Sequence, residues 1–182
     1  MGDRVLSDEE YEHITSIVPI AATDGVPVRL ENGKILVGAI VRNTGVYTGK
    51  LALIGGRVQK DESLEESLRR HFRTDIGVEI EFLDPEYKER PMFIAQYKPL
   101  PEGSANHDPV FNDDPTKHCI SATYLVRIPE GARLNFGEGP GGQEASDFKW
   151  FAKDTMPPPS EFAFNHDRIF ARAFLEASKL LN

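Results

Sequence analysis

The amino-acid order points to an α+β fold. Most apolar runs are short and rich in β-branched residues, whereas helical periodicity occurs in only three places: near each end and once in the middle. An Asn-Gly hairpin precedes the central glycine-rich helix unit, which argues against a regular dinucleotide-binding βαβ array. "GGRVQKDE" also lacks the G-x-G-x-x-G spacing of such arrays. A length of 182 residues suits one domain, 1–182.

Ser7 and Glu10 form a capping box, so "SDEEYEHITSIV" reads as a first helix. "VPVRL", "ENGK" and "ILVGAIVR" read as a hairpin around Asn32-Gly33. "NTGVYTG" is a loop, and "KLALI" a short strand that feeds a Gly55-Gly56 turn. A helix is expected from Glu62 to Ile76, with Gly77 as its left-handed cap. "VEIEFL" and "PMFIAQY" read as strands, and Pro99 to Lys117 as a long polar loop carrying His107, a candidate lid. "HCISATYLVRI" and "DFKWF" are further strands. "MPPPS" then breaks the chain before a final amphipathic helix from Glu161 to Leu181.

Composition narrows the function. The apolar share is 40%, the charged share 27%, and the formal net charge −8. An acidic chain does not meet the requirement of nucleic acid for a basic surface. No apolar run reaches the ~20 residues of a membrane span, and the acidic "MGDRVLSDEEYEH" is no signal peptide. A single cysteine, Cys119, excludes an internal disulfide and fits a reducing cytoplasm; it reads as a buried strand residue. If such a protein takes an anionic small molecule, it needs local arginines or a divalent cation.

The central helix shows where a cation could sit. Leu64, Leu68, Phe72 and Ile76 form one apolar stripe, and at about 100° per residue His71 and Asp75 face within about 20° of it. Both side chains therefore point inward. A buried carboxylate in a last helical turn needs a positive partner, either a metal ion or an arginine.

Gly56, Glu62, Arg70 and Gly77-Val78 resemble the Nudix box, G-x5-E-x7-R-E-U-x-E-E-x-G-U, whose spacing is kept over its 23 positions. The box's metal glutamates fall on His71, Thr74 and Asp75, and only the last is an acid. Within the superfamily the sequence is more similar to GDP-mannose mannosyl hydrolases, in "GGRVQKDESLE", "PIAATD", "HCISATYLVRI" and "SDFKWF". The resemblance implies a Nudix-type α/β/α sandwich with a mixed central β-sheet. It implies one Mg²⁺, with Mn²⁺ as the alternative, on the Gly55 carbonyl, Asp75 and Glu144. Arg57, and Arg42 with it, would stabilise a departing diphosphate, and Asp24 would contact the sugar or orient its environment. Glu62 and Arg70 would tie loop to helix, and the family resemblance adds a homodimer.

Where that branch places its general-base histidine, this sequence has Ala145; His71, His118 and His107 are the substitutes. The expected function is hydrolysis of a nucleoside diphosphate derivative, a nucleotide sugar such as GDP-mannose. The alternatives are a diphosphate-splitting Nudix pyrophosphatase and a non-catalytic nucleotide-binding or sensor protein on the same frame.

Overall fold

The computed structural model describes residues 6–84, 86, 90–100, 111–136 and 144–181. Three helices flank nine strands: α1 (Asp8–Ile17), β1 (Ile20–Glu31), β2 (Lys34–Arg42), β3 (Leu51–Ala52), β4 (Ile54–Arg57), α2 (Leu64–Ile76), β5 (Glu81–Phe82), β6 (Phe93–Lys98), β7 (Phe111–Asp113), β8 (Cys119–Arg127), β9 (Ala145–Ala152) and α3 (His166–Leu181). The main path of the sheet runs β3-β2-β1-β8-β6-β7; β4 pairs with β1, β5 with β8, and β9 with β2. The sheet is mixed, because β1–β8 and β6–β7 are parallel and the other pairs are antiparallel. No helix among the described residues is long and apolar enough to cross a membrane.

β1 organises the site. Its first half pairs with β4 and its last residues with β2, while β8 runs along it from Ile20 to Pro27. Its side chains alternate, as a strand requires. Ile20, Val26 and Val28 enter the core that also takes Ile169, Phe170 and Phe174 of α3. Thr23 and Gly25 turn toward α2, where Thr23 Oγ1 donates to Ser67 and Gly25 lies under Phe72. Helices on both faces make the α/β/α sandwich that the sequence implies. Asp24 shares its face with the α3-side core residues, at the end where that core stops being apolar.

Several boundaries differ from expectation. The glycines form no turn: Gly55, Gly56 and Arg57 belong to β4, and Gly55 pairs with Asp24. Only a glycine fits there, since a Cβ on Gly55 would collide with the Thr23 carbonyl and the Asp24 carboxylate. Helix α2 begins at Leu64 rather than Glu62, with Ser63 and Glu66 as a reciprocal capping box. Its apolar stripe is shorter than expected, because Leu64 is 40% exposed whereas Leu68, Phe72 and Ile76 are fully buried. Gly77 adopts the expected left-handed cap (φ 70°, ψ 24°).

"VEIEFL" contributes only Glu81–Phe82 to the sheet. Part of the expected Pro99–Lys117 loop is strand β7, added in parallel to β6; residues 101–110, His107 among them, lie outside the described residues. Helix α3 starts at His166 instead of Glu161, because 159–161 form a 3-10 turn and Phe164 and Asn165 take positive φ (53° and 55°).

Candidate active site

A cavity of about 450 Å³ opens beside the first half of β1, where Ala22 and Asp24 line it. Asp24, Arg42, Gly55, Arg57, His71 and Glu144 all line it, together with Tyr97, Lys117 and His166. Strand alternation explains part of this set. Asp24 of β1 and Ser121 of β8 are near neighbours on the parallel β1–β8 ladder, where Asp24 is paired with Thr123. Arg42 arrives differently: a register shift between Val41 and Arg42, in the β2–β9 pair, re-aims it. Its Nε and Nη2 donate to the carbonyls of Val46 and Thr44, and its guanidinium lies 5.0 Å from the Phe164 ring. Arg57 is stacked over Tyr11 of α1 at 4.9 Å.

Asp24 is partly buried, and Tyr97 Oη donates to its Oδ2 at 3.1 Å. Burial pushes its pKa up to about 6, against the effect of the neighbouring Ser121 and Tyr97 hydroxyls. His71 sits over Gly56, and its Nε2 lies 3.2 Å from the Arg57 carbonyl. A carbonyl only accepts, so that nitrogen carries the ring proton. Burial, then the Arg70 charge, lowers the His71 pKa to about 4. Arg70 donates to both Glu62 oxygens at 2.7 and 2.8 Å and to the Arg57 carbonyl at 2.9 Å. Glu62 in turn accepts the Gln59 N–H. This pair ties the β4–α2 connection to the helix and is a brace.

His118 does not line the cavity. Its neighbours Lys117 and Cys119 do, and period-2 alternation turns the residue between them away. Thr74 is equally unsuited to a metal, as its hydroxyl faces the carbonyls of Arg70 and His71 and Asp75 Oδ1, which share its one proton. Ala145 is buried in the α2-side core.

Asp75 is 3% exposed and stands behind the lining. Its Oδ2 is buried with no hydrogen-bond partner among the described residues. Burial, and then the nearby Glu144 charge, raises its pKa to about 7. Arg70 is committed to Glu62; its charge and that of Arg42 oppose the rise from a distance, and neither Asp75 nor Glu144 forms a salt bridge among the described residues. Among those residues no three His, Cys, Asp or Glu side chains cluster. Of the donors that the sequence implies for a divalent ion, Glu144 and Gly55 line the cavity and Asp75 lies behind it. His166, which no sequence motif marks, is buried at the cavity wall.

A family model described as "Domain of unknown function (DUF4916)" matches residues 3–176. The chain belongs to the DUF4916 family. This DUF4916 chain is 36% identical over 55 residues to the nucleoside triphosphatase NudI of Enterobacter sp. (strain 638), a match covering 30% of this chain and 39% of that protein. The NudI of Salmonella heidelberg (strain SL476) is 39% identical over 54 residues, covering 30% and 38%. The match thus spans about two fifths of the length of these relatives.

Among solved structures, one described as a possible asymmetric diadenosine tetraphosphate hydrolase from Jonesia denitrificans superposes with a TM-score of 0.69 at 24% identity, covering 90% of the DUF4916 chain and 98% of the other. The Nudix domain of Shewanella oneidensis NrtR, complexed with ADP ribose, gives 0.60 at 17% identity, with 94% and 99% covered. The fold of this DUF4916 protein is the Nudix α/β/α sandwich.

Proposed function

We propose that this chain is a divalent-cation-dependent Nudix-type hydrolase acting on nucleoside diphosphate derivatives, with a nucleotide sugar such as GDP-mannose as its substrate class. One observation carries the reading: Arg57, Arg42, Lys117 and Glu144 line one cavity, and the buried Asp75 lies behind it within reach of the Glu144 charge. The NudI matches and the nucleotide-related structural neighbours support it.

Asp75, Glu144 and the Gly55 carbonyl would hold the ion, Mg²⁺ or Mn²⁺. When bound, it would supply Lewis-acid stabilisation of charge on the diphosphate. Arg57 and Arg42 grip phosphate oxygens, and a guanidinium does so more strongly as leaving-group charge develops. Gly55 and Gly56 let the strand backbone approach the ligand. Asp24, which lines the cavity beside this strand, would take a proton from attacking water through one of its two carboxylate oxygens, the task for which Ala145 has no group. His118 has no part in it. A cytoplasmic location and a homodimer accompany this proposal, as does a single domain across 1–182.

Incubation with GDP-mannose, ADP-ribose and dinucleotides, with Mg²⁺, Mn²⁺ or chelator, tests it by product mass. Intact nucleoside diphosphate plus free sugar means attack at carbon; a nucleoside monophosphate means attack at phosphorus and the pyrophosphatase alternative. Binding without any product favours the second reading, a nucleotide sensor. For that reading speak Ala145 and the internally satisfied Thr74.

A further inference from the structure

His166 is only 5% exposed, yet it lines the cavity. Its Nδ1 accepts the Leu53 N–H at 3.1 Å, so the ring proton sits on Nε2. No acceptor is hydrogen-bonded to that Nε2 among the described residues, and the side chain that carries it lines the cavity. The ring is held edge-on against Tyr97 (5.6 Å, 84°) and tilted against Phe164 (5.3 Å).

Seating it is costly. Phe164 and Asn165 both take left-handed backbone, and for a bulky residue such as Phe164 that strain persists only where the surroundings impose it. Burial, then the Arg42 charge, lowers the His166 pKa to about 3, so the imidazole is neutral at working pH.

Resting on the proposed function, we propose that His166 is a specificity-determining residue whose Nε2–H donates to a hydroxyl of the sugar carried on the diphosphate, with Asp24 as the matching acceptor. A hydroxyl both donates and accepts, so one carboxylate and one neutral N–H satisfy it. Tyr97 links the two: its hydroxyl binds Asp24 and its ring packs on His166. A phosphate oxygen has no proton for Asp24 and goes to the arginines instead.

Calorimetric titration of wild type, His166→Phe and His166→Gln with ADP-ribose and ADP, and with GDP-mannose and GDP, in the presence of Mg²⁺ tests this. His166→Phe should lose at least roughly tenfold in affinity for a sugar nucleotide, the size of one buried hydrogen bond, and nothing for its plain diphosphate. His166→Gln should stay within roughly threefold of wild type, because an amide can accept from Leu53 and still donate. Equal losses on both ligands, or none on either, overturn the proposal. Wild-type protein that binds none of the four ligands overturns the underlying nucleotide reading, and this proposal falls with it.

The folded wild type gives an independent readout through the ¹⁵N spectrum of its imidazoles. His166 should show the Nε2–H tautomer from pH 5 to 8 and shift with sugar nucleotide but not with the plain diphosphate. An Nδ1–H tautomer, or identical shifts with both ligands, sinks the idea even if His166→Phe fails to fold.

Discussion

The two helices that flank the cavity support it by opposite means. On the α2 side the work is done by charge: Arg70 spans Glu62 and the Arg57 carbonyl, while Asp75 sits buried near Glu144. At the entrance to α3 it is done by strain and uncharged rings: Phe164 and Asn165 in left-handed backbone, then His166 packed on Tyr97. On the proposed function the α2 flank would be completed by a cation. The α3 flank is complete as folded and offers one neutral donor. A site built this way can separate two tasks, neutralising a diphosphate on one flank and reading an uncharged group on the other.

That contrast can be broken most severely at the carboxylate between the flanks. Asp24→Asn should lower kcat by about 10²–10⁴, the usual worth of a general base, while circular dichroism stays unchanged. Next comes the cation. Mg²⁺ at about a hundredfold its Kd should stabilise the wild type by about 2.7 kcal/mol, read as a rise in Tm. Asp75→Asn should abolish that rise and raise the Tm of the metal-free protein, because it removes a buried unpaired carboxylate. A wild-type Tm indifferent to Mg²⁺ would remove the charged flank from the comparison.

Arg57→Ala should lower kcat at least about tenfold, a barrier increase of about 1.4 kcal/mol, with steady-state kinetics as the check. The fold should survive although Arg57 lies on a strand, since its side chain lines the cavity instead of the core.

The α3 flank should show itself in acid. The folded pKa of His166, about 3, lies below the unfolded value of about 6.5, so the unfolded chain takes the proton first. Stability due to this group is intact above about pH 6.5 and falls as pH drops toward about 3, by at most about 1.4 kcal/mol per pH unit. Denaturant midpoints at pH 7, 5.5 and 4.5 should therefore fall less steeply for His166→Gln than for wild type. The smallest effect is a gain: Asn165→Gly should stabilise by at most about 1 kcal/mol, since glycine adopts φ near +55° without strain. A loss in chemical denaturation would show that the Asn165 side chain matters more than its backbone.

The charged flank was legible because its signals are local. Box spacing, inward Asp75, the Glu62–Arg70 brace and the Gly77 cap each depend on residues within one helix and its approach. Even the Ser63–Glu66 capping box stood in the sequence and would have corrected the helix start. The neutral flank was not legible. "EFAFNHDR" continues the α3 periodicity, and tertiary contacts hold it out of the helix: Leu51 bridges Phe162 and accepts the Ala163 N–H, Tyr47 and Tyr97 pack on Phe164, and Leu53 binds His166. The aim of Arg42 was equally hidden, since it depends on a register shift against β9. Reading "IGGR" as a turn failed for a related reason: glycines suggest a bend, but here they make room for a neighbouring strand.

The parallel pairing of β1 with β8 also governs when the site can exist. Ile20 meets Cys119 in that ladder, so the strands that place Asp24 beside Ser121 come from distant parts of the chain. Closing so long a connection carries an entropic cost before any contact is gained, and such pairings form late and slowly. During synthesis, Asp24, Gly55 and the whole of α2 leave the ribosome before the strand that completes the cavity floor. A nascent chain ending ahead of β8 therefore has the box motif without the site, and ligand cannot assist folding until translation has passed Arg127.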